Sequence, residues 1–326
     1  MSNSIFEKNT GASSPDIDQT ENREEGIVAG EATEGLSDDN SADDDSLLEL
    51  LSHMKGIIDD ENDYGDEDED LGEGDMDADD YHNKAVGYAR RGRNRLAAEV
   101  CIDGLKHFPL NVDLLASTIK YSAAVGDMET ASRHYTILKN DVPAQRWNWR
   151  AFTFSFDYLI KGDPIANEKE CRILVENYKK YVPYEEKACL AESELEMALG
   201  NAEHSMRVLE EAIVSHANAS QCALRLADMQ LDRGLYEKVI ITANYGIAAS
   251  AEVQPSINIP YLYYIRALAK DYILHKKEYD NETVEAEDVD ALAAEYELLL
   301  SEFPELTYYE HNINMRAAML KFMKTT

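Results

Sequence analysis

From Tyr81 onward, apolar residues recur every three or four positions in stretches of helical length. Each stretch closes at a glycine or a polar turn and is followed by another of the same kind. This spacing predicts amphipathic helices in pairs and offers no period-two alternation for strands. Gly92, Gly126, Gly200 and Gly234 each end an apolar stretch. The first two lie 34 residues apart, as do the last two, and Gly162 falls between at offsets of 36 and 38. Ala97 and Ala131, Cys101 and Tyr135, and Pro109 and Pro143 keep the same step. A sixth, distorted pair is predicted near 257–276 and 288–302, with EYDNETVEAED as a polar insertion between its helices. The last stretch, roughly Tyr308–Lys324, reads as a capping helix.

A 34-residue helix-turn-helix period resembles the tetratricopeptide repeat family. In the first unit Tyr81 opens the first helix, Tyr88 packs behind it, Gly92 makes the turn, Ala97 gives the close helix contact, and Leu105 and Pro109 end the second helix. Leu115, Gly126, Ala131, Tyr135 and Pro143 repeat the series. The third unit, RWNWRAFTFSFDYLIKGD onward, puts Trp149, Phe152 and Phe156 at large core positions, with about four extra residues around its internal turn. The resemblance implies an all-α, right-handed helical-repeat solenoid of about six degenerate units over residues 81–326. The first helix of each unit would line a concave groove.

Composition divides the chain in two. Residues 1–80 hold 28 Asp and Glu against Lys8, Arg23 and Lys55, a net −25 of the chain's −33. With almost no aromatics, such a segment cannot bury enough apolar surface to offset its chain entropy, so residues 1–80 are expected to form a disordered acidic tail. One island interrupts it. In SLLELLSHMKGII, residues 46–58, Leu47, Leu50, Leu51, Met54 and Ile58 form a helical stripe behind a Ser46/Glu49 capping box. A helix this short is marginal alone and is expected to form on contact. The run after it places Asp60, Asn62, Gly65, Asp66 and Asp68 like a calcium loop, but Tyr64 and Leu71 stand where ligands are needed. No metal site or cofactor is expected.

Candidate chemistry is sparse. Cys101, Cys171, Cys189 and Cys222 lie far apart in apolar helical patterns, where cysteine acts as a small hydrophobe. No nucleotide, zinc-protease or serine-hydrolase motif occurs, and no enzyme is expected. No secretory signal or membrane span is apparent, which points to a cytoplasmic protein. Members of the family that grip chaperone C-termini use Lys, Asn and Arg along the groove. The matching positions here include His82, Val86, Ser117, Lys120, Arg150 and Phe154, so that clamp is not reproduced.

Two clusters remain. Trp147, Arg150, Phe154 and Tyr158 follow one another at helical steps and are expected to anchor a partner on the groove side. Arg90, Arg91, Arg93 and Arg95 gather at the first interhelix turn. They are expected to steer the acidic run while the Leu47–Ile58 island docks weakly on the solenoid. The expected function is therefore a protein–protein interaction scaffold that takes a peptide or helix of another protein in its groove. The alternative is an acidic chaperone or nucleic-acid mimic, whose tail engages a basic partner. A net charge of −33 disfavours nucleic acid itself.

Overall fold

The computed structural model describes residues 76–183, 186–215, 219–251 and 258–323, the side chains of residues 250 and 251 excepted. The tail residues Leu47, Leu50, Leu51, Met54 and Ile58 lie outside this set.

Among the described residues thirteen helices follow one another. Five pairs come first: α1 (Ala78–Arg90) with α2 (Asn94–His107), α3 (Val112–Ala124) with α4 (Met128–Asp141), α5 (Trp149–Gly162) with α6 (Glu168–Tyr181), α7 (Lys187–Ala198) with α8 (Ala202–Ser215), and α9 (Ser220–Leu231) with α10 (Tyr236–Ala251). A longer pair, α11 (Ile259–Tyr279) and α12 (Ala286–Glu302), precedes the final helix α13 (Glu310–Leu320). Each helix packs on its pair mate, and successive first helices pack on one another from α1 to α11. Successive second helices do not form such a layer. A stack that is close on one side and open on the other must curve with the first helices inside. The architecture is an all-α helical-repeat solenoid with a tetratricopeptide-like fold.

Local chemistry sets the boundaries. The Asp77 carboxylate accepts from Asp79 N at 2.9 Å and Asp80 N at 3.0 Å, while Asp80 accepts from Asp77 N, so an aspartate pair caps α1. The solenoid thus begins a turn earlier than the expected boundary at residue 81. Its cap looks in sequence like the end of the acidic run. Asn111 and Asn148 cap α3 and α5 through bonds to Leu114 N and Ala151 N. Gly92, Gly126, Gly200 and Gly234 all turn with φ between 66° and 80°, a region costly for residues with a Cβ. This shared backbone need is the origin of the repeated glycine.

Two expectations need correction. Gly162 is not a fifth turn glycine: it ends α5, and Asp163 makes the turn by accepting from Ile165 N and Ala166 N. The extra residues of the third unit are shared between this turn and a longer connection, Val142–Asn148, which holds a 3-10 turn at Ala144–Arg146. Nor is EYDNETVEAED an insertion outside the helices. α11 runs on to Tyr279 and α12 starts at Ala286, so the helices absorb both ends of the stretch, and Val284 between them is buried.

The core runs through the stack, with Leu114, Ile119, Phe152, Tyr178, Leu195, Leu226 and Ile265 almost wholly enclosed. All four cysteines are buried free thiols within it. Burial pushes the Cys101 thiol up to about 12 and that of Cys171 up to about 11, which removes thiolate reactivity near neutral pH.

Candidate functional site

The inner face of the first four units carries a mesh of cations laid on aromatic rings. Lys187, at the start of α7, holds its Nζ 3.7 Å from the Trp149 ring centre, and the Arg150 guanidinium lies 4.9 Å from the same ring. Lys120 of α3 sits 4.6 Å from the ring centre of Phe154, which meets Trp149 edge-on at 6.3 Å. Such contacts hold a cation in place while leaving its outer N–H groups open to a ligand. Asp113 ties the upper end together: its Oδ1 accepts from Asn148 Nδ2 at 2.8 Å and lies 3.5 Å from Arg150. Beside it Ser117 Oγ and His82 Nδ1 stand 3.2 Å apart. Burial holds His82 below its ordinary value, against the opposing pull of Asp113, so its ring is neutral near pH 7.

The expected anchors divide between this face and the interior. Arg150 and Phe154 belong to the mesh, although Phe154 is mostly covered. Trp147 is not in the helical stripe. Its residue precedes Asn148, the cap of α5, and its indole is buried, with Nε1 donating to Val142 O at 3.0 Å and the ring 5.2 Å from Phe152. The two tryptophans differ from expectation: Trp147 fills the core, and Trp149, expected there, is only partly buried at the core's edge beside the inner face. Tyr158 turns toward α4, its ring 5.5 Å from that of Tyr135. The cause is the longer connection, which starts the helix at Trp149 and shifts the frame. Arg90, Arg91, Arg93 and Arg95 are all exposed around the turn between α1 and α2.

Sequence reasoning missed a second constellation, at the C-terminal end. Asp271 of α11 is almost wholly buried, yet three side chains converge on it. Tyr296 of α12 donates at 3.1 Å, Arg316 of α13 at 3.0 Å, and His275 Nδ1 lies 2.9 Å from the other oxygen. Arg316 also covers Tyr272, whose ring stacks on Tyr236 of α10 at 5.1 Å. Burial would raise the Asp271 carboxyl, but His275 and Arg316 outweigh it and hold it below its ordinary value. A single acid inside the apolar run YLYYIRALAKDYIL was the available signal.

A comparable acid, Glu196, is buried between Arg172 at 2.7 Å and Asn201 at 2.9 Å. Asp228 is buried with one oxygen on Arg225 at 3.0 Å, and burial pushes it up to about 7. Glu186 accepts from Cys222 N at 3.1 Å and so joins the fourth unit to the start of α9. Glu196 and Glu186 join neighbouring helices, whereas the Asp228–Arg225 pair lies within α9. Among the described residues, no group of three His, Cys, Asp or Glu side chains is placed to hold a metal ion.

No family model matches the chain, and no curated protein matches it. Among solved structures, it is similar to a tetratricopeptide repeat protein from Parabacteroides merdae, with a TM-score of 0.46 and 16% identity over 86% of this chain and 95% of that one. The Pseudomonas aeruginosa PilF protein gives 0.45 and 13%, over 73% and 96% of the two chains. A tetratricopeptide protein of Thermus thermophilus gives 0.43 and 14%, over 59% and 98%. Among the described residues, no helix is long and apolar enough to cross a membrane.

Proposed function

We propose that the chain is a protein-interaction scaffold, and that the inner face around Lys120, Trp149, Arg150, Phe154 and Lys187 takes a peptide or helical segment of another protein. One observation carries this reading. Three cations from three successive first helices are laid on two aromatic rings, Lys120 on Phe154 and both Arg150 and Lys187 on Trp149. Aromatic and arginine anchors of this kind dominate interface energetics. The first helices form a continuous inner layer, so a partner lying along it would meet all three.

The second reading places binding in the acidic residues 1–75, which would draw a basic partner by charge. One experiment separates the two. Affinity capture from native lysate is compared for the full chain, the chain lacking residues 1–75, and the full chain with Lys120→Ala and Trp149→Ala. The scaffold reading expects the truncated chain to keep its partner and the double variant to lose it, with both melting as the parent does. Loss on truncation together with retention by the double variant would assign binding to the tail.

A further inference from the structure

On the opposite side of the solenoid, the junction between the second and third units is unlike the others that the structure describes. Elsewhere the second helix of one unit packs along the first helix of the next, as α2 does on α3, α6 on α7 and α8 on α9. Here α5 is pressed instead onto α3, and the backbones of α4 and α5 stand apart. The seven-residue connection Val142–Asn148 permits this shift, where four residues, Phe108–Asn111, join the first unit to the second. A cleft of about 440 Å³ is left between α4 and α6. Trp147, Phe152, Val142 and Leu174, all buried, form its floor. Ile173 stands on its rim 49% exposed.

The cleft is bounded by polar contacts. Glu170 accepts from both Tyr135 and Lys139, and beyond the connection Gln145 Nε2 donates to Tyr181 at 3.3 Å. Lys139 is therefore committed within the protein. Lys169, one turn before Ile173 and also lining the cleft, is exposed and has no internal partner among the described residues. The walls contribute Tyr135, Lys139 and Val142 from one side and Lys169, Ile173 and Asn177 from the other, at three- and four-residue steps. That spacing is the ridge pattern a helix presents to a neighbouring helix.

We propose that this cleft seats a helix of another protein, one bearing bulky aliphatic side chains at positions i and i+4 with an acidic residue beside them. The aliphatic pair takes the place of the helix contact that the junction lacks and covers Ile173, Leu174 and the rings of Trp147 and Phe152. The acid pairs with Lys169. The volume suits a few side chains, within the range of about 300–1,000 Å³ usual for binding pockets. This surface lies on the second helices, so it works independently of the inner face.

The test uses the full chain and a fluorescently labelled synthetic helix with a leucine stripe and glutamate flanks, followed by anisotropy. A lysine-flanked helix with the same stripe is the control. The leucine–glutamate helix is expected to bind more tightly than its lysine counterpart, although the chain's net charge of −33 attracts the latter. Ile173→Asp should weaken binding at least tenfold and Lys169→Glu several-fold. Lys169→Arg and Lys187→Ala should leave it unchanged. Urea denaturation of each variant confirms that it folds. Three outcomes would overturn the proposal: stronger binding of the lysine-flanked helix, affinity indifferent to Ile173→Asp, or binding only after Leu50→Ser and Leu51→Ser. The last would give the cleft to the chain's own residues 46–58.

Discussion

Cations lie over aromatic rings at both ends of the solenoid, but with opposite consequences. At the C-terminal end, Arg316 covers Tyr272 and is fixed from behind by the buried Asp271. In the first four units, Lys187 covers Trp149 and Lys120 covers Phe154, and among the described residues no acid pairs with Lys187. The difference lies in the carboxylate. A buried acid turns a cation–aromatic contact into a structural lock, because neither charge can be removed without stranding the other. Without that acid, as at Lys187, the cation is held by a contact worth about 0.5–1 kcal/mol. The first arrangement holds a helix, and the second is the one proposed to meet a partner.

The largest expected effect falls on the lock. Arg316→Met leaves Asp271 buried with its strongest partner gone and should cost about 3–5 kcal/mol, by analogy with other broken buried pairs. Urea denaturation of the full chain measures it. Hydrogen exchange should show protection lost first in α11, α12 and α13. Trp147→Ala should come next, at about 3–5 kcal/mol for an aromatic removed from a packed core. This change also sharpens the contrast between the two tryptophans, since Trp149→Ala should alter the melt far less.

An intermediate effect is expected at Gly246 in α10. A Cβ there would lie 2.6 Å from the Ala223 Cβ and 3.0 Å from Leu262, so three helices would have to move apart. Gly246→Ala should destabilise by about 1–3 kcal/mol, the usual range for overpacking, again read from urea denaturation.

A smaller effect is expected from pH. His275 is held above its ordinary value by its bond to Asp271, and Asp228 is pushed up to about 7 by burial. Both folded-state values exceed the unfolded ones. Each stabilising contribution is therefore complete below the unfolded value and lost as pH rises through the folded one. Between pH 6 and pH 8 stability should fall by about 1 kcal/mol, because Asp228 contributes over roughly the one unit below its folded value, after which both states are ionised. Asp271 acts in the opposite direction, and its contribution is lost only in acid, as pH falls through its lowered value. Replacing Asp228 with Asn and His275 with Gln should flatten the slope between pH 6 and pH 8 in thermal melts.

The sequence revealed the architecture most clearly where one physical need recurs. A left-handed turn every 34 residues selects glycine at Gly92, Gly126, Gly200 and Gly234, and close helix contact selects Ala97 and Ala131. Periodicity fails where the period does. The longer connection before α5 moved the helix start to Trp149, which puts Trp147 in the core and leaves Trp149 only partly buried at its edge. The polar letters of residues 278–288 concealed helix ends, because an exposed helical turn and a loop have similar composition. The lock was not legible: Asp271 and Arg316 are 45 residues apart and belong to no repeated pattern. Of the four residues expected to anchor a partner, Arg150 and Phe154 join the cation–ring mesh, and Lys120 and Lys187, which complete that mesh, sit on neighbouring helices rather than in one stripe.

The most direct test makes the same two measurements, thermal melting and partner capture per folded molecule, on two variants of the full chain. Lys120→Ala with Lys187→Ala should abolish capture and lower the melt by only a few degrees, since each cation–aromatic contact is worth about 0.5–1 kcal/mol. Arg316→Met should do the reverse, lowering the melt by many degrees while the molecules that remain folded still capture the partner. A lysine double variant that melts far below the parent yet keeps its partner would contradict the account.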